Sequence, residues 1–318
     1  MMGTHNPDFQ RGLDSVFNCI HFDWTPYYKP NERHHVAQYT NALQVEILKR
    51  FNDFKPEIVF LHLQCGDAVL VDTVNRMRRE GALVFSWTGD VRYPLPNFYL
   101  DFGRHINSTL FTNMNDVMTC NNNGVKADFL QVGFDSKYFN PLGKTSLNYP
   151  EIIFMGSNYP SANFPLSKLR LEMVQRIRNE FGNKFMVYGG GWDKVGVPHN
   201  VINGYEEEGT AYRSCKIAIN LSHFDYFKYS SDRMYRILGS GAFCLSHKYQ
   251  GIDTDFKIGH DLDVWNNLDE LVSKIRYYLA NDVLRERISM NGCYNAHTNF
   301  TWHHFAQNLE KISLIIKK

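Results

Sequence analysis

Ile217-Ala218-Ile219-Asn220-Leu221-Ser222-His223-Phe224-Asp225, followed by Ser230-Ser231-Asp232-Arg233-Met234-Tyr235-Arg236-Ile237-Leu238-Gly239-Ser240-Gly241 and a second apolar run, carries the reading of this chain. An apolar run, a polar loop, a helical stretch and another apolar run spell strand, helix, strand. Ser230, Ser231 and Asp232 suit the N-cap and first turn of the helix. Exposed N–H groups at such a start bind phosphate well. Arg233 and Arg236 stand three apart on neighbouring parts of one face, and their guanidinium forks match a diphosphate. Gly239 and Gly241 let the backbone turn tightly and approach a ligand, with Ser240 between them. The same residues admit a plain reading: Asp232 and Arg236 can pair on a solvated face, and Gly239 can simply end the helix.

Working outward, short apolar runs alternate with amphipathic stretches along the whole chain, as in stacked β-α units around parallel sheets. Strands are expected near 15–20, 57–63, 82–87, 108–112 and 127–132, with helices over 34–52 and from Asp67 to Glu80. Residues 141–150 hold two prolines and a glycine among polar residues and read as a linker. Strands recur at 151–155, 184–188, 216–221 and 242–246, with helices near 166–181, 207–214, 231–239, 268–280, 282–293 and 302–316. The expected fold class is α/β: two Rossmann-like domains facing a central cleft, with C-terminal helices packing across the interface. The expected boundaries are 1–145 for the first domain, 150–290 for the second and 291–318 for a helical tail. Ligands of such sheets lie outside the carboxyl ends of the strands.

Composition removes several function classes. A chain of 318 residues accommodates two domains of about 150 each. Its 43% hydrophobic and 14% aromatic residues suffice for real cores. A net charge of +1 gives no broad phosphate-tracking surface. None of the six cysteines forms a C-x-x-C pair or has zinc-ligand spacing, which suits buried thiols in a reducing cytoplasm. The N-terminus lacks a signal-peptide pattern, and no apolar run approaches a membrane span. A soluble, cytoplasmic protein is expected.

Gly189-Gly190-Gly191 ends an apolar run and precedes Trp192, so a nucleotide base could enter there and stack on Tyr188 or Trp192. Packing of Trp192 in the core is the alternative. The run is no G-x-G-x-x-G fingerprint and no G-x-x-x-x-G-K-[ST] element exists, which argues against a nicotinamide enzyme and a P-loop NTPase. Trp87-Thr88-Gly89-Asp90-Val91-Arg92 follows a strand, placing Asp90 at a carboxyl end, where a carboxylate could take an acceptor proton. Its alternative is a turn residue paired with Arg92. His62 and Asp67 are secondary candidates; His34-His35 and His303-His304 lack metal-ligand partners by spacing. Asp253-Thr254-Asp255 and Asp261-Leu262-Asp263 read as solvated carboxylates, so no metal is required.

The run from Ser231 to Leu245 resembles the donor-site segment of GT-B glycosyltransferases, especially CgeB-like and phage-encoded members. Trp87 to Arg92, Phe154-Met155-Gly156-Ser157-Asn158, Asn291 to His297 and Phe300-Thr301-Trp302 are similar to the same subgroup. The resemblance implies transfer of a sugar from a nucleotide-sugar donor, UDP-linked, with no cofactor. The acceptor could be a glycan, a protein or a nucleic-acid base. Donor residues would be Gly156, Ser157, Tyr188, Gly190, Trp192, Ser222, His223, Ser231, Asp232, Arg233, Arg236, Gly239, Ser240 and Gly241, with Asp90 catalytic. Many retaining relatives carry a glutamate where Arg236 stands and an acid where Lys228 stands, leaving stereochemistry open. The alternatives are a non-catalytic nucleotide- or glycan-binding protein on this scaffold, and a phage-type transferase acting on modified bases.

Overall fold

Runs such as Ile152-Ile153-Phe154-Met155 and Ile217-Ala218-Ile219-Asn220 are apolar at nearly every position, which fits strands covered on both faces. The computed structural model describes residues 7–27, 36–66, 68–159 and 162–317; His34, His35 and Asp67 lie outside them. The chain forms two compact units, Met1–Gln131 with His303–Lys318, and Val132–Trp302. Residues 141–150 thus belong to the second unit, where Arg213 donates to the carbonyls of Tyr138, Asn140 and Lys144.

The first unit contains α1 (Pro7–Asp14), α2 (Val36–Phe54), β1 (Ile58–His62), α3 (Val71–Arg79), β2 (Leu83–Thr88), α4 (Phe98–Gly103), β3 (Ser108–Phe111), α5 (Met114–Asn122) and β4 (Ala127–Phe129). Its four strands are parallel in the order β1-β2-β3-β4. Every crossover steps the same way, so right-handed connections put α3, α4 and α5 on one face. The opposite face is closed by Phe9 of α1 and by Phe305, which pack on Phe60 and Trp87 with ring centroids 5.1–6.0 Å apart. No strand forms over 15–20. The chain leaves α1 in a turn, with Phe17 N–H donating to Leu13 and Ser15 Oγ to the Gly12 carbonyl. Helix α3 starts only at Val71, because the buried Gln44 amide holds Ala68 and Leu70 outside it: Nε2 donates to the Ala68 carbonyl, and Oε1 accepts from Leu70 N–H and the Thr73 hydroxyl.

The second unit contains β5 (Ile152–Met155), α6 (Ser167–Phe181), β6 (Phe185–Tyr188), β7 (His199–Asn200), α7 (Tyr205–Ser214), β8 (Ile217–Asn220), α8 (Asp232–Gly239), β9 (Phe243–His247), α9 (Ile252–Asp255), β10 (Asp263–Trp265), α10 (Leu268–Ala280) and α11 (Asp282–Asn299). Helix α12 (Trp302–Lys317) follows and, from His303, belongs to the first unit. The six parallel strands run β10-β9-β8-β5-β6-β7. The chain builds outward from β5 through β6 and β7, then returns to the other side of β5 with β8. That reversal is the doubly wound order, and ligands of such sheets sit where it occurs. The core gathers Ile152, Phe154, Met173, Ile177, Val187, Trp192, Ile219, Leu245, Trp265 and Ile275. No described helix is long and apolar enough to cross a membrane.

Gly239, expected to meet a ligand, is instead a packing position. A Cβ there would stand 2.3 Å from the Phe134 ring, and the Gly239 carbonyl accepts from His297 Nε2 at 2.9 Å. Overpacking of this kind costs about 1–3 kcal/mol. Gly239→Ala should therefore lower stability by that amount in urea denaturation, and an unchanged midpoint would contradict this packing.

Candidate functional site

The reversal between β5 and β8 brings two strand ends side by side: Gly156-Ser157 after β5, and Leu221-Ser222-His223 after β8. Arg170, on the buried stripe of α6 with Met173, Val174 and Ile177, ties them together. Its Nη1 donates to the Ser157 carbonyl at 2.9 Å and to His223 Nε2 at 2.6 Å; its Nη2 donates to the Leu221 carbonyl at 2.7 Å. Helix α8 opens at the same place. Ser231 is its N-cap, and the Ser231 N–H donates to Ser222 Oγ at 3.2 Å. Arg233 in the first turn donates through Nη1 to the Leu221 carbonyl at 3.1 Å. A Cβ on Gly156 would lie 3.2 Å from Arg233 Nη2, so the glycine keeps that edge of the guanidinium open.

Charge is left over here. Arg170 and Arg233 lie over the Phe154 ring, at 5.4 and 5.2 Å from its centroid, and neither has a carboxylate partner among the described residues. Burial, and after it the Arg233 charge, push Arg170 well below its ordinary pKa. Burial and the same two arginines push His223 down to about 3, so its ring is neutral. A guanidinium can only donate, so Nε2 of His223 accepts from Arg170 and Nδ1 carries the proton. Three buried atoms, Arg170 Nε, His223 Nδ1 and Ser231 Oγ, have no hydrogen-bond partner. Orphaned polar atoms around a helix start with excess positive charge call for an anion or its hydration.

The fold is that of the GT-B glycosyltransferases. Residues 170–311 match the family described as Glycosyl transferase-like. A glycosyltransferase from Rickettsia africae superimposes with a TM-score of 0.63 at 14% identity, over 88% of this chain and 82% of that one. Sucrose-phosphate synthase from Thermosynechococcus elongatus gives 0.62 at 10% identity, over 90% and 79%. Anabaena HepE, in complex with UDP and glucose, gives 0.61 at 11% identity, over 87% and 80%. No curated protein matches the sequence.

On this GT-B scaffold the sequence-derived donor residues divide. Gly156, Ser157, Ser222, His223, Ser231, Asp232 and Arg233 converge at the reversal, and exposed Gly190 joins them through its N–H to Ser157 Oγ at 3.3 Å. Arg236 does not serve there. Burial works against its charge, but Asp232 at 2.5 Å and Glu208 at 3.2 Å outweigh it and hold the guanidinium above its usual value. Tyr205 and Phe139 stack on it at 4.5 and 5.4 Å. Ser240 and Gly241 follow the last turn of α8, where carbonyls rather than N–H groups face outward, the wrong sign for a diphosphate. Trp192 is fully buried in the core with its indole N–H on the Gly156 carbonyl at 2.8 Å, and Tyr188 is buried as well, so neither ring has a face open to a base.

Asp253 is exposed, and the other three of the paired acids are occupied. Asp261 accepts from Lys257 N–H and Asn295, Asp263 from Lys274 and Tyr278, and Asp255 pairs with Lys228 at 3.5 Å. In the first unit, Asp90 is exposed just beyond β2, and its N–H donates to Thr88 Oγ1. Arg92 is spent on Gln64, at 2.6 and 2.9 Å, not on Asp90. Arg170 was missed by sequence reasoning, although a signal existed: an arginine at an apolar-stripe position of the helix after β5.

The two arginines of α8 should behave oppositely. Arg233→Ala should cost nucleotide binding roughly 10- to 150-fold, the worth of a charge-assisted contact, without loss of fold. Arg236→Ala should leave nucleotide affinity unchanged and lower stability by about 1–3 kcal/mol, because Asp232 and Glu208 lose their partner. Calorimetric titration and denaturation of both variants check this, and the reverse pattern would restore Arg236 to the site.

Proposed function

We propose that the chain is a nucleotide-sugar glycosyltransferase, moving a hexosyl or related group from a UDP-sugar to an acceptor hydroxyl. The carrying observation is the pair Arg170 and Arg233, without a carboxylate partner among the described residues, converging on the start of α8 at the strand reversal. In this reading the donor diphosphate meets Arg233 Nη2, the N–H groups of the first α8 turn and the Ser231 hydroxyl. Arg170 supports the site from beneath, its Nη atoms already donated to backbone carbonyls. As the bond to the sugar breaks, negative charge grows on the diphosphate, and donors fixed in advance stabilise it without reorganising. UDP as the carrier is supported by the HepE complexes, and sugar transfer by the family match over 170–311.

Asp90 is the base we assign to the acceptor, on its position at a strand's carboxyl end and its exposed carboxylate. Asp90→Asn keeps the shape and removes the proton acceptor. Turnover should fall by about 10²–10⁴ while donor binding stays intact. Wild-type activity in that variant would reduce Asp90 to a turn residue.

Thermal shift against UDP, GDP, ADP and their sugars tests the donor assignment. A ligand at 100 times its Kd adds about 2.7 kcal/mol. UDP and UDP-sugars should stabilise the protein and lose that effect in Arg233→Ala; stabilisation by NAD alone would overturn the reading. Binding without transfer to any acceptor would mark a non-catalytic nucleotide-binding protein. The cations of the site are arginines, so excess chelator should leave nucleotide affinity unchanged. Binding lost with chelator and restored by Mn²⁺ would bring Asp253 and Asp255 forward instead.

A further inference from the structure

The turn that follows α1 in the first unit gathers three side chains of different chemistry. Asp14, Cys19 and His21 bring their ligand atoms within 4.8 Å of one another, the one group of this kind among the described residues. His21 Nε2 lies 2.7 Å from Asp14 Oδ1. The turn itself is set by α1 ending at Asp14 and by the Val16 and Phe17 N–H groups bonding back to Leu13. Cys19 and His21 also line a cavity of about 700 Å³ in this unit, whose walls include β1 and α12 residues and none of the donor residues.

We propose that Asp14, Cys19 and His21 form a binding site for a borderline-soft divalent cation of the zinc class, separate from the nucleotide site. Sulfur, imidazole nitrogen and carboxylate oxygen are the three donor types that zinc takes, and three protein ligands leave a fourth position for water. Tetrahedral zinc with bonds of about 2.0–2.3 Å holds its ligands roughly 3.3–3.7 Å apart, so a spread within 4.8 Å closes with a shift of about 1 Å. One carboxylate, one thiolate and a neutral imidazole balance a charge of 2+. On binding, the Cys19 sulfur forms the metal bond and its proton leaves to solvent. The cavity beside Cys19 and His21 gives the fourth ligand room. Sequence spacing hid the site, because Cys-x-His with an aspartate five residues upstream is not a zinc-ribbon pattern.

Metal-free full-length protein titrated with Co²⁺ tests the assignment. One equivalent should produce an intense thiolate-to-cobalt band in the near ultraviolet, and Zn²⁺ should bleach it. Cys19→Ser should abolish the band; Asp14→Asn and His21→Ala should weaken cobalt affinity at least about tenfold, the floor for lesser outer-shell contacts. UDP binding should be unchanged in all three, which keeps this outcome independent of the donor assignment. No stoichiometric band in the wild type, or a band that survives in Cys19→Ser, overturns the site. Should Cys19→Ser fail the circular-dichroism check of fold, the Asp14→Asn and His21→Ala titrations decide it, and unchanged affinity in both overturns the proposal.

Discussion

One buried guanidinium organises the second unit. Arg170 is 1% exposed and still reaches the loop after β5, the loop after β8 and the His223 ring. Without it, the Ser157 carbonyl would lose its donor and the Leu221 carbonyl would keep only Arg233, in a place largely closed to water where an unmade bond costs about 1–3 kcal/mol. A buried charge with no carboxylate partner is normally replaced by something apolar or neutralised by an acid. Its presence here, beside a second arginine, makes sense when the missing counter-charge arrives with a ligand. The arrangement spends folding stability on a positive field that an anion or its hydration would relieve.

Helix α8 shows how finely such a field is partitioned. Arg233 and Arg236 are separated by less than one turn, yet one has no carboxylate partner among the described residues and the other is enclosed by Asp232, Glu208, Tyr205 and Phe139. Further along, Gly239 is there to let Phe134 and α11 close on the helix: its missing side chain is occupied by the ring, and its carbonyl is bonded to His297. Eight residues therefore divide into a start whose arginine has no carboxylate partner among the described residues, a neutralised middle and a packed end.

The alternation of apolar runs made most of the fold legible. β1, β2, β3, β5, β6, β8 and β9 lie at the short runs rich in apolar residues near 57–63, 82–87, 108–112, 151–155, 184–188, 216–221 and 242–246, and α6, α10 and α12 follow their stripes. β7 and β10 escaped notice because two or three residues with a leading polar member carry no period. The segment 15–20 misled in the other direction: its composition suits a strand, but hydrogen bonds back into α1 claim the N–H groups. At the site, the start of α8 was readable from Ser231, Asp232 and Arg233 because caps and dipoles are local. The fates of Arg236, Gly239 and Trp192 were not, since Glu208, Phe134 and Phe154 come from distant parts of the chain. Arg170 was hidden for the same reason.

Helix α12 belongs, from His303 onward, to the unit that the chain began and left at Gln131. Phe305 closes the sheet face over Phe60 and Trp87, and Leu309 and Leu314 line the cavity beside β1. The ribosome therefore makes most of the first unit early and delivers its last helix only after the entire second unit. At roughly 5–20 residues per second, the first sheet waits on the order of ten seconds or more with one face only partly covered, by Phe9 without Phe305. The second unit has no such delay and can mature as soon as it emerges. Nascent chains of this protein thus have an ordered vulnerability: the part translated first is finished last, and its exposed aromatics are what a chaperone would meet.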